Sequence, residues 1–199
     1  MYRLLESIKL KNRQLQHIEW HNKRFNEARH QLFGMHGDID LLDVIEIPEH
    51  LTNEVYKCRV LYRKDVEVVD FQPYLPRDVK TLQLLEVNDI DYSFKFEDRQ
   101  LFQSLMNLKG QADDILIVKN GFITDTSYSN IVFFDGEKWI TPDTYLLNGT
   151  QRQYLLRKKI ITEAKIRKED VKNFQLAKPI NAMLDFKTTP FVSIIYSQF

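Results

Sequence analysis

The chain has 199 residues, and its 28 Lys and Arg balance 28 Asp and Glu, so the formal charge at pH 7 is zero. Hydrophobic residues make up 43% and aromatic residues 12%, which is enough for a real core and too much for a disordered chain. The charge balance gives no electrostatic case for a nucleic acid or an anionic membrane surface as partner, and no window approaches the ~20 apolar residues of a membrane span.

Met1 to Glu6 contain no apolar run of signal-peptide length, and Cys58, the single cysteine, has no internal disulfide partner; both lead to the expectation of a reducing cytoplasm. Residues 3–10 and 14–20 alternate apolar and polar side chains around Lys11-Asn12-Arg13, which predicts a hairpin. Phe25, Ala28, Leu32 and Phe33 recur at helical spacing, so Trp20–Phe33 is expected as a helix ending near Gly34. A second short helix is expected from about Leu51, after Pro48. Residues 55–69, rich in Val, Tyr and Leu, read as one strand or a pair, and 79–87 as another. The polar stretch Asn88-Asp89-Ile90-Asp91 suggests a division into a small N-terminal α+β domain, 1–90, and a larger C-terminal one, 91–199.

The second half opens with an expected helix over 97–108, with Leu101, Phe102, Leu105 and Leu108 on one side. Ile115–Val118, the hairpin signal Asn120-Gly121, and Ile131–Phe134 before Asp135-Gly136 predict an antiparallel meander over 115–141. Helix is expected around 150–164, and strands around 180–185 and 191–196.

Several residues could carry chemistry. Lys95 lies among Tyr92, Phe94 and Phe96, where desolvation would favour the neutral amine that a Schiff base needs; a snorkelling surface lysine is the alternative. Asp125, between Thr124 and Thr126, is either a solvent-facing turn residue or an acid buried against a heterocycle nitrogen. Gly149-Thr150-Gln151-Arg152 opens a helical pattern and could offer N–H groups and a hydroxyl to an anion, or supply an ordinary N-cap. His21-x-x-Arg24 places both side chains on one helical face, where Arg24 could fork onto phosphate or form a surface ion pair with a nearby Glu. Lys57 and Arg59 share one face of a strand and could hold a substrate carboxylate or merely be solvated, with Cys58 turned to the core.

In this order the pieces resemble the class IV fold of pyridoxal-phosphate-dependent enzymes, which includes branched-chain and D-amino acid aminotransferases and aminodeoxychorismate lyase. The resemblance runs from Leu4-Leu5-Glu6-Ser7-Ile8 through His21-x-x-Arg24, Lys95, Asp125 with Asn130-Ile131 five positions on, Thr141-Pro142 and Gly149-Thr150-Gln151-Arg152, to Ile180-Asn181-Ala182-Met183. It implies a two-part α+β fold, D-amino acid aminotransferase-like, with an antiparallel β-rich C-terminal part. It also implies pyridoxal 5'-phosphate as cofactor, Lys95 as the Schiff-base lysine, and Asp125 against the pyridine nitrogen. Arg24, Thr150, Gln151, Asn181 and Ala182 match the positions around the cofactor, and Lys57 and Arg59 would meet the substrate. Three departures stand out: Asp125 where the family commonly has Glu, Gln151 in place of a common Thr, and Ala182 where aminotransferases often carry Thr.

Lys95-x-x-x-Arg99 and Asn181-Ala182-Met183 are similar to the lyase branch, so the resemblance implies a lyase releasing pyruvate and p-aminobenzoate. An amino acid aminotransferase of the same fold, or a degenerate member that only binds a ligand or partner, are the alternatives. A small-molecule amino substrate and a homodimer are expected, with neither nucleic acid nor membrane as partner.

Overall fold

Alternation sets the first strand of the computed structural model, which describes residues 2–196. Along β1, Leu4–Lys11, Leu4, Glu6, Ile8 and Leu10 point inward and are buried. The chain reverses at Asn12 and Arg13, both in the left-handed region (φ 52° and 58°), as a two-residue hairpin turn requires. The returning strand β2 is only Gln14–Leu15, shorter than the expected 14–20. Left-handed His17 (φ 54°) ends it, and helix α1, Ile18–Phe33, begins. Gly34 closes α1 in the left-handed conformation, its N–H reaching the Arg29 and His30 carbonyls.

No helix starts at Leu51. The short helix in this region is α2, Leu41–Val44, because Asp40 caps it by accepting from the Leu42 N–H. Leu51 instead follows a turn closed by its N–H on the Pro48 carbonyl, and packs with Leu10 and Tyr56. Residues 55–69 form part of a strand pair, β3 (Tyr56–Tyr62) and β4 (Val66–Pro73). The sheet order is β2-β1-β3-β4, antiparallel throughout. Phe25 and Ala28 of α1 pack on Leu4, Ile8, Cys58, Val60 and Tyr62. Chain contacts divide the molecule into two compact units, and this first one holds the described residues through Pro76 together with Phe94–Asp98. The latter segment lies along β1: Leu5 N–H donates to the Lys95 carbonyl, Glu97 N–H to that of Arg3, each at 2.9 Å.

The second unit comprises residues 77–93 and those from Arg99 onward. Strand β5, Thr81–Glu86, falls in the first half of the sequence but pairs in parallel with β6, Asp114–Lys119. Between them lies helix α3, Gln100–Met106, which buries Phe102 and Leu105. Leu101 and Leu108 are 46% and 59% exposed, so they are off the buried face on which the sequence pattern put them. Asn120-Gly121 makes the expected tight turn into β7, Phe122–Thr126, with positive φ at both residues.

The expected meander is then interrupted. Thr126 receives the Ser129 N–H on its hydroxyl and donates its own N–H to the Ser129 carbonyl. Past this tight turn, β8 (Asn130–Phe134) and β9 (Trp139–Pro142) enter a different sheet. Helix α4, Thr150–Arg157, is followed by β10, Ile161–Ala164, where helix was expected to continue. β11, Leu176–Ile180, and β12, Ser193–Ile195, complete two four-stranded sheets, ordered β12-β5-β6-β7 and β10-β9-β8-β11. Both are mixed, since β12, β5 and β6 run parallel, as do β9 and β10. Leu82, Leu116, Val118 and Ile123 from the first sheet meet Ile131, Phe133, Ile140 and Ala177 from the second in one core.

Phe133, fully buried beside Phe174, should lose about 3–5 kcal/mol of stability on Phe133→Ala. Leu108→Ala should stay within about 0.5 kcal/mol of wild type. Urea unfolding of the two variants measures the difference.

Candidate active site

In the first unit an acid occupies an inward position of β1. Glu6 is fully buried between Leu4 and Ile8, where an unpaired carboxylate would be very costly. Helix α1 supplies its partners from one face, three residues apart. Arg24 donates to both carboxylate oxygens, from Nε at 2.8 Å and Nη2 at 2.6 Å, and His21 Nδ1 lies 2.6 Å from Oε2. Burial works to raise the Glu6 pKa, but the charge of Arg24 and the bonds from His21 and Arg24 outweigh it and hold the carboxyl at about 2. Burial lowers the His21 pKa despite the Glu6 contact, with the charges of Arg24 and Lys95 adding to the effect. His21 is therefore a neutral ring near pH 7, and since an ionised carboxylate only accepts, Nδ1 carries the proton.

Lys95 is half-buried. Phe94 and Phe96 pack into the core of this unit, and Phe96 bridges Leu4, so the Lys95 backbone is fixed beside β1 next to Glu6. Lys57 and Arg59 are both half-buried on β3. Arg59 Nη1 donates to Asp70 Oδ2 at 3.1 Å across the sheet, and Lys57 Nζ lies 5.1 Å from the centre of the Tyr74 ring. Cys58 between them is fully buried, and burial with the charge of Asp70 pushes its thiol up to about 12, which makes it unreactive.

In the second unit Asp125 is 5% exposed, the buried rather than the turn alternative. Both its oxygens are engaged: Oδ1 accepts from Asn130 Nδ2 at 2.8 Å and Oδ2 from the Leu147 N–H at 2.9 Å. Asn130 Nδ2 also donates to the Leu147 carbonyl. Burial raises the Asp125 pKa to about 6, opposed by these hydrogen bonds and the charge of Arg152.

Gly149 caps α4 without a side chain. A Cβ there would sit 2.1 Å from Asn130 Oδ1, so only glycine lets the start of the helix approach this amide. Thr150 and Gln151 form the first buried turn, and Arg152 is anchored by the Pro142 carbonyl and Glu163. Ile180 is the register partner of Asn130, which brings the Asn181-Ala182 loop to the same sheet end. There the Asn181 side chain accepts from the Met183 and Leu184 N–H groups.

Each unit thus gathers its own set: Glu6, His21, Arg24 and Lys95 in the first, and Asp125, Asn130, Thr150, Gln151, Asn181 and Ala182 in the second. Lys57 and Arg59 lie on β3, engaged with Tyr74 and Asp70. Glu6 and the partnership of His21 were missed from sequence, although an acid at an inward position of an alternating strand is the signal that marks Glu6.

Because the native Asp125 carboxyl titrates near 6 and the unfolded one near 3.8, the native state holds a proton that the unfolded chain releases. This acid therefore costs stability as pH rises from about 4 to 6, on the order of 3 kcal/mol in total. Urea midpoints of wild type and Asp125→Asn from pH 4 to 7 should diverge in slope over that window, the variant losing this decline. Parallel profiles would show that Asp125 titrates normally.

Residues 95–187 match the family model of the class IV amino-transferases. A Haemophilus influenzae protein described as uncharacterized is 37% identical over 185 residues, which span 92% of this chain and 98% of the relative. The crystal structure of a candidate 4-amino-4-deoxychorismate lyase from Haemophilus somnus is 32% identical, covers 92% of this chain and 97% of its own, and has a TM-score of 0.84. A hypothetical aminotransferase of Mycobacterium tuberculosis in its PLP-bound form shares the fold at 16% identity, with a TM-score of 0.74 over 97% of this chain and 81% of that one. The near full-length identity to the Haemophilus proteins and the matched segment beginning at Lys95 establish what the order of motifs implied: the chain belongs to the class IV aminotransferase family of enzymes.

Proposed function

We propose that the protein is a pyridoxal-phosphate-dependent aminodeoxychorismate lyase of folate precursor synthesis, acting in the cytoplasm as a homodimer. The observation that carries the lyase assignment is the 32% identity, over nearly the whole of both chains, to a relative described as a candidate enzyme of that activity. Lys95-x-x-x-Arg99 supports it; Arg99 is held by its Nη1 on the Tyr92 hydroxyl at 2.9 Å and by the Ser127 carbonyl.

The residues fit the cofactor chemically. Asp125 is a buried acid whose affinity for a proton is raised, suited to sharing one with a pyridine nitrogen. The first turn of α4, with no side-chain cap, suits a phosphate, as does the Arg24 guanidinium. When bound, the cofactor would supply an electron sink for the bond broken at the amino-bearing carbon.

The chain's own residues do the rest. Lys95 would hold the cofactor and, as a neutral amine, would take the proton from the amino-bearing carbon of the substrate. Loss of that proton with departure of the neighbouring enolpyruvyl group leaves the aromatic p-aminobenzoate, and the enol collects a proton to become pyruvate. Atoms balance without an external oxidant. Asn130 and the Leu147 N–H hold Asp125 in place, Asn181 and Ala182 would border the phosphate, and Lys57 and Arg59 would receive substrate carboxylates.

Adding pyridoxal phosphate to the protein should produce a visible absorption band that borohydride converts to a stable adduct on Lys95, absent in Lys95→Ala. Aminodeoxychorismate should then yield p-aminobenzoate and pyruvate in equal amounts with no keto acid present. A product that forms only when a keto acid is added would assign an aminotransferase instead, and no Lys95-dependent adduct would leave a binding role. Sedimentation at a monomer mass would contradict the dimer.

A further inference from the structure

We propose that Glu6 is a positioning residue that presents the Arg24 guanidinium to the phosphate of the cofactor, an inference that rests on the assignment of Arg24 given above. Three observations converge on it. The first is the fork: Arg24 meets both Glu6 oxygens through Nε and Nη2. Two parallel charge-assisted bonds fix the plane of a guanidinium that four side-chain torsions would otherwise leave mobile, and they turn the edge carrying Nη1 away from Glu6.

The second is the rigidity of the anchor itself. Glu6 stands on a paired strand between two fully buried neighbours, and His21 Nδ1, contributed by the same helix face as Arg24, adds a third bond at 2.6 Å. Neither the carboxylate nor the helix can shift without breaking this set. The third is exposure. The side chains of Glu6 and His21 are 0% exposed, whereas that of Arg24 is 13% exposed. An anion arriving from solution therefore meets the arginine, and the acid behind it acts only through that arginine.

Stability alone gives little reason for such a group. A buried ion pair is often matched or bettered by apolar side chains of similar volume, and the surroundings here are apolar, with Phe25, Ile8 and Tyr62 in the same core. What the carboxylate supplies that Leu or Met would not is a direction for the guanidinium. His21 in turn holds the carboxylate, which assigns a role to both members of His21-x-x-Arg24.

The test separates direction from folding by using two ligands that differ only in the phosphate. Spectroscopic titration with pyridoxal phosphate and with pyridoxal gives the dissociation constant of pyridoxal divided by that of pyridoxal phosphate, a ratio that measures the phosphate's own share of binding. General damage weakens both ligands alike and leaves the ratio where it was. Glu6→Gln, which keeps the shape and removes one acceptor and the charge, should lower the ratio by at least about tenfold, the scale of a charge-assisted hydrogen bond. Arg24→Ala should lower it too, and the double variant should fall no further than Arg24→Ala alone, because Glu6 acts through Arg24.

Should Glu6→Gln fail to fold, Glu6→Asp keeps the charge but withdraws the oxygens by one methylene, and the same loss of ratio is expected. A wild-type ratio well above one that both Glu6 variants preserve or increase would overturn the proposal alone. A wild-type ratio near one would overturn the phosphate assignment of Arg24 and the proposal with it.

Discussion

One side-chain amide organises an end of the second unit. Asn130 opens β8, and its Nδ2 holds the Asp125 carboxylate and the Leu147 carbonyl together, while its Oδ1 leaves room for nothing larger than hydrogen on Gly149. β7, the connection out of β9 and the start of α4 therefore converge on one group. A buried donor bonded twice is fully used, and removing it would strand an acid and a carbonyl at once. Asp125, Asn130 and Gly149 are thereby tied to one another through a single amide.

The two units bury one acid each, and their environments pull proton affinity in opposite directions. Glu6 faces a guanidinium, a full positive charge at hydrogen-bond distance, and stays ionised well below the usual carboxylate range. Asp125 receives mainly dipoles, an amide and a backbone N–H, and burial prevails. The same side-chain chemistry thus yields a permanent anion in one case and a carboxyl poised to gain or release a proton near neutrality in the other. The helix that carries His21 and Arg24, and the end of β7 with the turn into β8 that carries Thr124 to Asn130, are the frames that make this difference.

Much of this was legible in the chain because local signals were strong. Asn120-Gly121, Gly34 and the alternation in β1 fixed a turn, a helix end and a strand face through backbone geometry that few other residues permit. The order Lys95, Asp125, Asn130, Gly149 and Asn181 carried the family. What local pattern could not carry was pairing. β5 reads as a strand anywhere, and only its contact with β6 assigns it to the second unit. The Thr126–Ser129 turn gives no sequence cue that β8 leaves the sheet of β7. Leu101 and Leu108 fitted a helical stripe, yet the residues that meet the core are Phe102 and Leu105, a choice made by the neighbouring sheet. Glu6 was visible as an anomaly, an acid in an apolar register, but its partners lie on another element.

The pairing of β12 with β5 bears on how the protein is made. Gln83 and Ile195 are register partners 112 positions apart, and the parallel ladder they join lies next to β6, with β7 beyond it. During synthesis, β5, β6 and β7 emerge long before the strand that covers the outer edge of β5. Until β12 arrives, β5 presents an open row of backbone donors and acceptors at the edge of the sheet, the kind of edge that pairs readily with other chains. Closure of that edge awaits Ser193–Ile195, a contact of high sequence separation that is slow to find.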